Sequence, residues 1–116
     1  MGILRAKVST TKDGFWEIAL LDLAISADGV DEVSMLQNLE ELLISEYHFS
    51  LHFKQTPFVR LLRNPSDEVK RSWTEGSKSL RALNLPDDVR QAIAAVMRFD
   101  SPNFNLDTDP SRSVAA

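Results

Sequence analysis

His48 and His52 are the two histidines of a chain that contains no cysteine. At a spacing of four they face together only on a helix, whereas on a strand the same pair points outward beside Ser50. Two imidazoles fall short of the three protein ligands of a catalytic zinc site, and no carboxylate stands at a matching spacing. Without thiols, cysteine nucleophiles, disulfides and cysteine zinc sites are all excluded. Asp13, Asp22 and Asp28 fall in segments that read as turns, where aspartate is a default residue. No nucleophile–base pair, phosphate-binding loop or metal cluster is present in the sequence. The expectation is a protein that binds rather than catalyses, with no cofactor.

The charges offer more. The net charge is −4, but it is unevenly distributed. Residues 1–53 carry three basic and nine acidic groups, residues 54–81 seven basic and three acidic, and residues 82–116 three basic and five acidic. The acidic first half suits an electrostatic docking face for a basic partner, because complementary charge speeds encounter and fixes register. Asp31, Glu40, Glu41 and Glu46 are its candidate contacts; a solvated helix face explains them equally well. The basic middle holds Lys54, Arg60, Arg63, Lys70, Arg71, Lys78 and Arg81, with Phe58 and Trp73 nearby. Cations interleaved with aromatics suit nucleic acid. A solvated face over two core aromatics is the plainer explanation.

With 116 residues, 43% hydrophobic and 26% charged, the chain has the size and composition of one globular domain. No apolar run reaches the roughly 18 residues of a membrane helix, and no signal peptide is recognisable. The expectation is a cytoplasmic protein that makes no membrane contact.

These groups must be positioned by elements that the periodicity lays out. Leu4, Ala6, Val8 and Thr10 alternate with Arg5, Lys7, Ser9 and Thr11, the period of a half-buried strand. Asp13-Gly14 predicts a hairpin turn into a second strand from Phe15 to Leu21, because glycine accepts positive φ. A third strand follows, up to a turn at Asp28-Gly29. Trp16, Leu20, Leu23 and Ala27 also stand at helical spacing, so a helix over 15–27 is the competing reading. From Asp31 to Tyr47, apolar Val33, Leu36, Leu39 and Leu43 recur every three or four residues, which predicts an amphipathic helix over about 31–47. Phe49, Leu51 and Phe53 alternate with polar neighbours and predict a fourth strand. Ser66 caps a short helix that ends near Gly76. Leu80 to Leu85 reads as a strand. Pro86-Asp87-Asp88 opens a helix running to about Arg98, and residues 100–116 read as a flexible tail.

The run Gly14-Phe15-Trp16-Glu17-Ile18-Ala19, followed by Asp22-Leu23-Ala24-Ile25-Ser26-Ala27-Asp28-Gly29, resembles the opening of HicB-like antitoxins. Val33, Leu36, Asn38-Leu39 and Glu41-Leu42 match the pattern of that family's helix without a gap. The resemblance covers about residues 4–47. Leu21 stands where the family usually has a proline, and Ala24-Ile25 where it often has Pro-Gly. It implies a partial ribonuclease-H-like fold that neutralises a small basic toxin, a ribonuclease by class, by covering its active surface. It also implies a C-terminal DNA-binding module. Leu80 to Leu85 followed by Pro86 to Arg90 resembles the strand and first helix of a ribbon-helix-helix, with Arg81 and Asn84 as base readers. Ser111-Arg112-Ser113 resembles the start of its second helix, but lies far downstream; a helix packed on the sheet is the competing reading.

Together these observations predict an α+β domain over 1–99. It comprises a β-β-β-α-β core (residues 4–54) with an antiparallel sheet of three or four strands, a helical extension over 64–99, and the tail. The functional expectation is an antitoxin- or immunity-like protein, with an edge strand that allows a homodimer. Two alternatives are a nucleic-acid-binding regulator acting through residues 54–85, including Arg60 and Arg63, and an all-helical domain. The latter rests on Ala24 to Asp31, which resembles the Ala-x-x-Ala-Asp-Gly turn of TerB-like tellurite-resistance domains; there Asp28 and Asp31 would touch a metal.

Overall fold

The computed structural model describes residues 2–76 and 78–110. Strands β1 (Ile3–Thr10), β2 (Trp16–Leu20) and β3 (Ser26–Gly29) precede a long helix α1 (Glu32–His52). A short 3-10 turn (Val59–Leu61), helix α2 (Asp67–Glu75), strand β4 (Ser79–Arg81), helix α3 (Asp87–Met97) and strand β5 (Asn105–Pro110) follow. The fold is α+β, as the patterning predicts. The five strands run in the order β3-β2-β1-β5-β4. The sheet is mixed rather than antiparallel throughout, since β5 lies parallel to β1 while the other neighbours are antiparallel.

The alternation in β1 does what its period requires. Leu4, Ala6 and Val8 point into one face of the sheet and are almost wholly buried, joined by Ile18 and Leu20 of β2 and Leu106 of β5. Helix α1 covers this face with Met35, Leu39 and Leu43, and α3 with Val89 and Ile93. Leu83 and Leu85 complete the core from the segment before α3. Val33, expected in the apolar stripe of α1, is instead 64% exposed. On the opposite face Arg5 forms a bidentate pair with Asp22, at 2.6 and 3.1 Å, and its guanidinium lies over the Trp73 ring. Trp73 donates its indole N–H to the Asp107 carbonyl, and Lys7 bonds Ser72, which ties α2 across β1 and β5.

The strands expected over residues 15–27 are present and the competing helical reading falls: Trp16–Leu20 pairs with both β1 and β3. Three expectations are corrected. The predicted strand at 49–53 is the last turn of α1 and its cap. Apolar residues at 49 and 53 are also i and i+4 on a helix, where the Phe49 and Phe53 rings meet at 4.7 Å. The helix closes without glycine, Lys54 taking a φ of 56°, so the sequence carries no stop signal there. The strand expected over 80–85 is confined to Ser79–Arg81. Finally, the expected tail contributes β5. Six of its residues pair with β1, and Phe104 and Leu106 are buried; the domain therefore does not end at residue 99. Ser111-Arg112-Ser113 lies outside the described residues.

Asp28-Gly29 also plays a different part from the hairpin at Gly14, whose φ of +87° needs glycine. Gly29 ends β3, and a Cβ there would lie 2.4 Å from the Met35 amide nitrogen. Glycine is needed for the close approach of strand and helix. Because β5 lies inside the sheet, between β1 and β4, Leu106→Ala is expected to cost about 2–5 kcal/mol in urea unfolding, and truncation before Asn105 to abolish the cooperative transition. A flexible tail would show neither effect.

Candidate functional site

A concavity of about 980 Å³ follows β3, one of the two edge strands of the sheet. One wall is the sheet face away from the core, with Lys7, Glu17, Ala19, Ser26 and Asp28. The other is the flank of α1, with Asn38, Glu41, Leu42 and Ser45. A smaller hollow of about 460 Å³ shares Ser26, Leu42 and Ser45 and continues along α1 to Phe49 and Arg60. The two make one trough with an apolar flank, in which Leu42 and Phe49 are about half exposed.

Its electrostatics come from strand register. Glu17 and Asp28 are directly opposite one another. Hydrogen bonding from Leu20 N–H to the Ile25 carbonyl sets the alternation along β2 and β3, and makes 17 and 28 a non-hydrogen-bonded pair, the kind with the closer side chains. Like charges so placed repel. Neither takes part in an ion pair among the described residues. Lys7 and Arg60, the cations of the trough lining, are turned to Ser72 and to Glu46 respectively. Glu41 adds a third carboxylate from α1.

The acids chosen from sequence divide sharply. Asp31 is the N-cap of α1, and its carboxylate accepts the Ser34 N–H at 2.8 Å, which holds its pKa below the usual aspartate value. Glu40 accepts the Asn84 N–H at 2.6 Å, and Glu46 is bonded by Ser50 and paired with Arg60. Of the four, Glu41 alone lines the larger concavity. The sequence reading missed Glu17 and Asp28; the signal available was the alternation of β2 and β3, which places both on the face away from the core.

The cations are similarly committed. Arg63 donates to the Leu20 and Leu21 carbonyls, Arg81 pairs with Glu32 at 3.1 Å, and Arg60 with Glu46 while lying over Phe49. Asn84 uses its backbone against Glu40. The three arginine side chains brace separate joints. His48 and His52 do share a helix, α1. No group of three His, Cys, Asp or Glu side chains able to hold a metal occurs among the described residues. Nor is any described helix long and apolar enough to cross a membrane.

Compared with protein-family models, curated proteins and solved structures, the chain matches none.

Two outcomes follow from these roles. Asp28→Asn removes a like-charge contact and should raise stability by about a few tenths of a kcal/mol at low salt, a gain that 0.5 M salt erases; thermal unfolding at two ionic strengths measures it. Asp31→Ala should lower the melting temperature at pH 6. Because the folded-state pKa of Asp31 is depressed, the charged cap stabilises fully above the unfolded value of 3.8. Its contribution fades as pH falls through the lower folded value, so the gap between wild type and variant narrows in acid.

Proposed function

We propose that this protein is an antitoxin- or immunity-like binding protein, acting in the cytoplasm, that neutralises a small basic toxin of the ribonuclease class. It does so by laying the trough beside β3 over the toxin's active surface. The observation that carries the reading is the uncompensated trio Glu17, Asp28 and Glu41 around an apolar flank. A sheet that leaves two carboxylates directly opposed gives up stability at that point, and a cationic partner recovers it on binding. Leu42 and Phe49, about half exposed beside these charges, supply the apolar contact that surface charge by itself lacks. Inhibition of this kind needs steric cover and complementary charge, and no catalytic group. The resemblance of about residues 4–47 to the opening of HicB-like antitoxins supports the same class. DNA binding through Arg60, Arg63 and Arg81 would compete with the carboxylate and carbonyl contacts these side chains make.

The test is to mix the protein with the product of the adjacent open reading frame. One co-eluting species on size exclusion is expected, which Asp28→Lys combined with Glu41→Lys splits by weakening affinity at least tenfold. Two separate peaks for the wild type would overturn the reading.

A further inference from the structure

The edge of β3 carries main-chain groups that nothing in the described structure takes up, and the chain itself shows how such an edge is filled. The same hydrogen-bond alternation turns Ile25 and Ala27 toward β2 and leaves Ser26 and Asp28 pointing outward. Just before β3, residues 61–63 have already been added to this outer side. Leu62 bridges Leu23 in antiparallel fashion, Ala24 N–H donates to the Leu61 carbonyl, and Arg63 N–H donates to the Asp22 carbonyl. That added segment then leaves the edge in the 3-10 turn of Val59–Leu61. Asn38 closes the row at its far end by donating its side-chain amide to the Asp28 carbonyl at 2.7 Å. Between these stops, the N–H and C=O of Ser26 and the N–H of Asp28 remain open.

We infer that this stretch is a strand-addition site, and that its occupant is an extended segment of the basic partner, with cationic and apolar side chains alternating. The inference rests on the reading of the trough as the partner's site and specifies how the partner is held. The open edge around Ser26 and Asp28 takes about three paired residues, and the ends of a longer extended segment run on along the trough. Chemistry agrees. A residue placed opposite Ser26 points its side chain to the face of Glu17 and Asp28, whereas its neighbours point toward Leu42 and Phe49. A second copy of this chain fits less well, since pairing β3 with itself would add two more Asp28 and Glu17 carboxylates to a repelling pair.

The experiment titrates the labelled full-length chain with a blocked peptide, Arg-Val-Lys-Val-Arg, and follows amide resonances by NMR. Three controls accompany it: an acidic twin, Glu-Val-Asp-Val-Glu; the basic peptide methylated on the backbone nitrogens of its cationic residues; and the variant Ser26→Pro. Proline is tolerated on an outward-facing edge position but removes the Ser26 donor. The expected result is binding of the basic peptide with slowed exchange of the Ser26 and Asp28 amides, and at least a tenfold loss with the methylated peptide and with the variant. Equal binding of the methylated peptide overturns strand addition while leaving the acidic trough as the partner site. Failure of the basic peptide to bind better than its acidic twin overturns both. A wild-type dimer that Ser26→Pro converts to monomer, with no peptide binding, makes the occupant a second copy and also overturns the inference. Should Ser26→Pro not fold, the methylated peptide decides the matter on the wild-type chain.

Discussion

Strand β1 has neighbours on both sides that come from opposite ends of the chain, β2 directly after it and β5 at the far end. A parallel partner cannot be reached by a tight turn, so nearly all of the remaining chain must lie in the crossover between β1 and β5. That constraint decides where everything else goes. Helices α1 and α3 cover the face to which Leu4, Ala6 and Val8 point, and α2 crosses the other, where Arg5 and Lys7 hold it through Trp73 and Ser72. The sheet is complete only once β5 has entered between β1 and β4. Its core pairing therefore carries the loop-closure cost of a long-range contact, the feature that slows folding in such topologies.

Arginine does much of the joining. Arg63 holds the post-α1 segment to the end of β2 through two main-chain carbonyls, Arg81 ties β4 to the start of α1, and Arg90 braces α3 against the Leu83 and Phe104 carbonyls. A planar guanidinium with several fixed donors suits this task better than an ammonium. Phe58 shows the same priority of assembly over local preference. It adopts a φ of 70°, uncommon for a bulky residue, and its ring is fully buried. Burial of an aromatic side chain, about 1.5–3 kcal/mol, is of the order needed to offset such backbone strain.

With so many charges used internally, those left over become informative. Glu32, Glu46 and Asp22 each neutralise an arginine, whereas Glu17, Asp28 and Glu41 line one open trough. The acidic half of the chain is thus two populations, one structural and one facing solvent beside an unpaired strand edge. Exposed sheet edges invite pairing. Here the edge is kept short by the added 61–63 segment at one end and by Asn38 at the other.

Elements whose signals are local are legible in the sequence. The period of two in β1, the Asp-Gly turn at Gly14, the Ser66 and Asp31 caps and the period of α1 all follow from side-chain geometry within one segment, and all stand in the structure. Elements that depend on distant partners are not legible in the sequence. Asn105 to Pro110 is polar apart from Leu106 and its closing proline, and so reads as a tail; it is a strand because β1 and β4 supply its hydrogen bonds. Phe49, Leu51 and Phe53 carry an alternation that suits a strand, but α1 continues through them and stops in a glycine-free left-handed cap at Lys54. The candidate site was legible in its sign of charge and in Glu41. Which other carboxylates remain open was not, because that depends on which arginine each acid meets across the fold, and on a strand register that places Glu17 and Asp28 side by side.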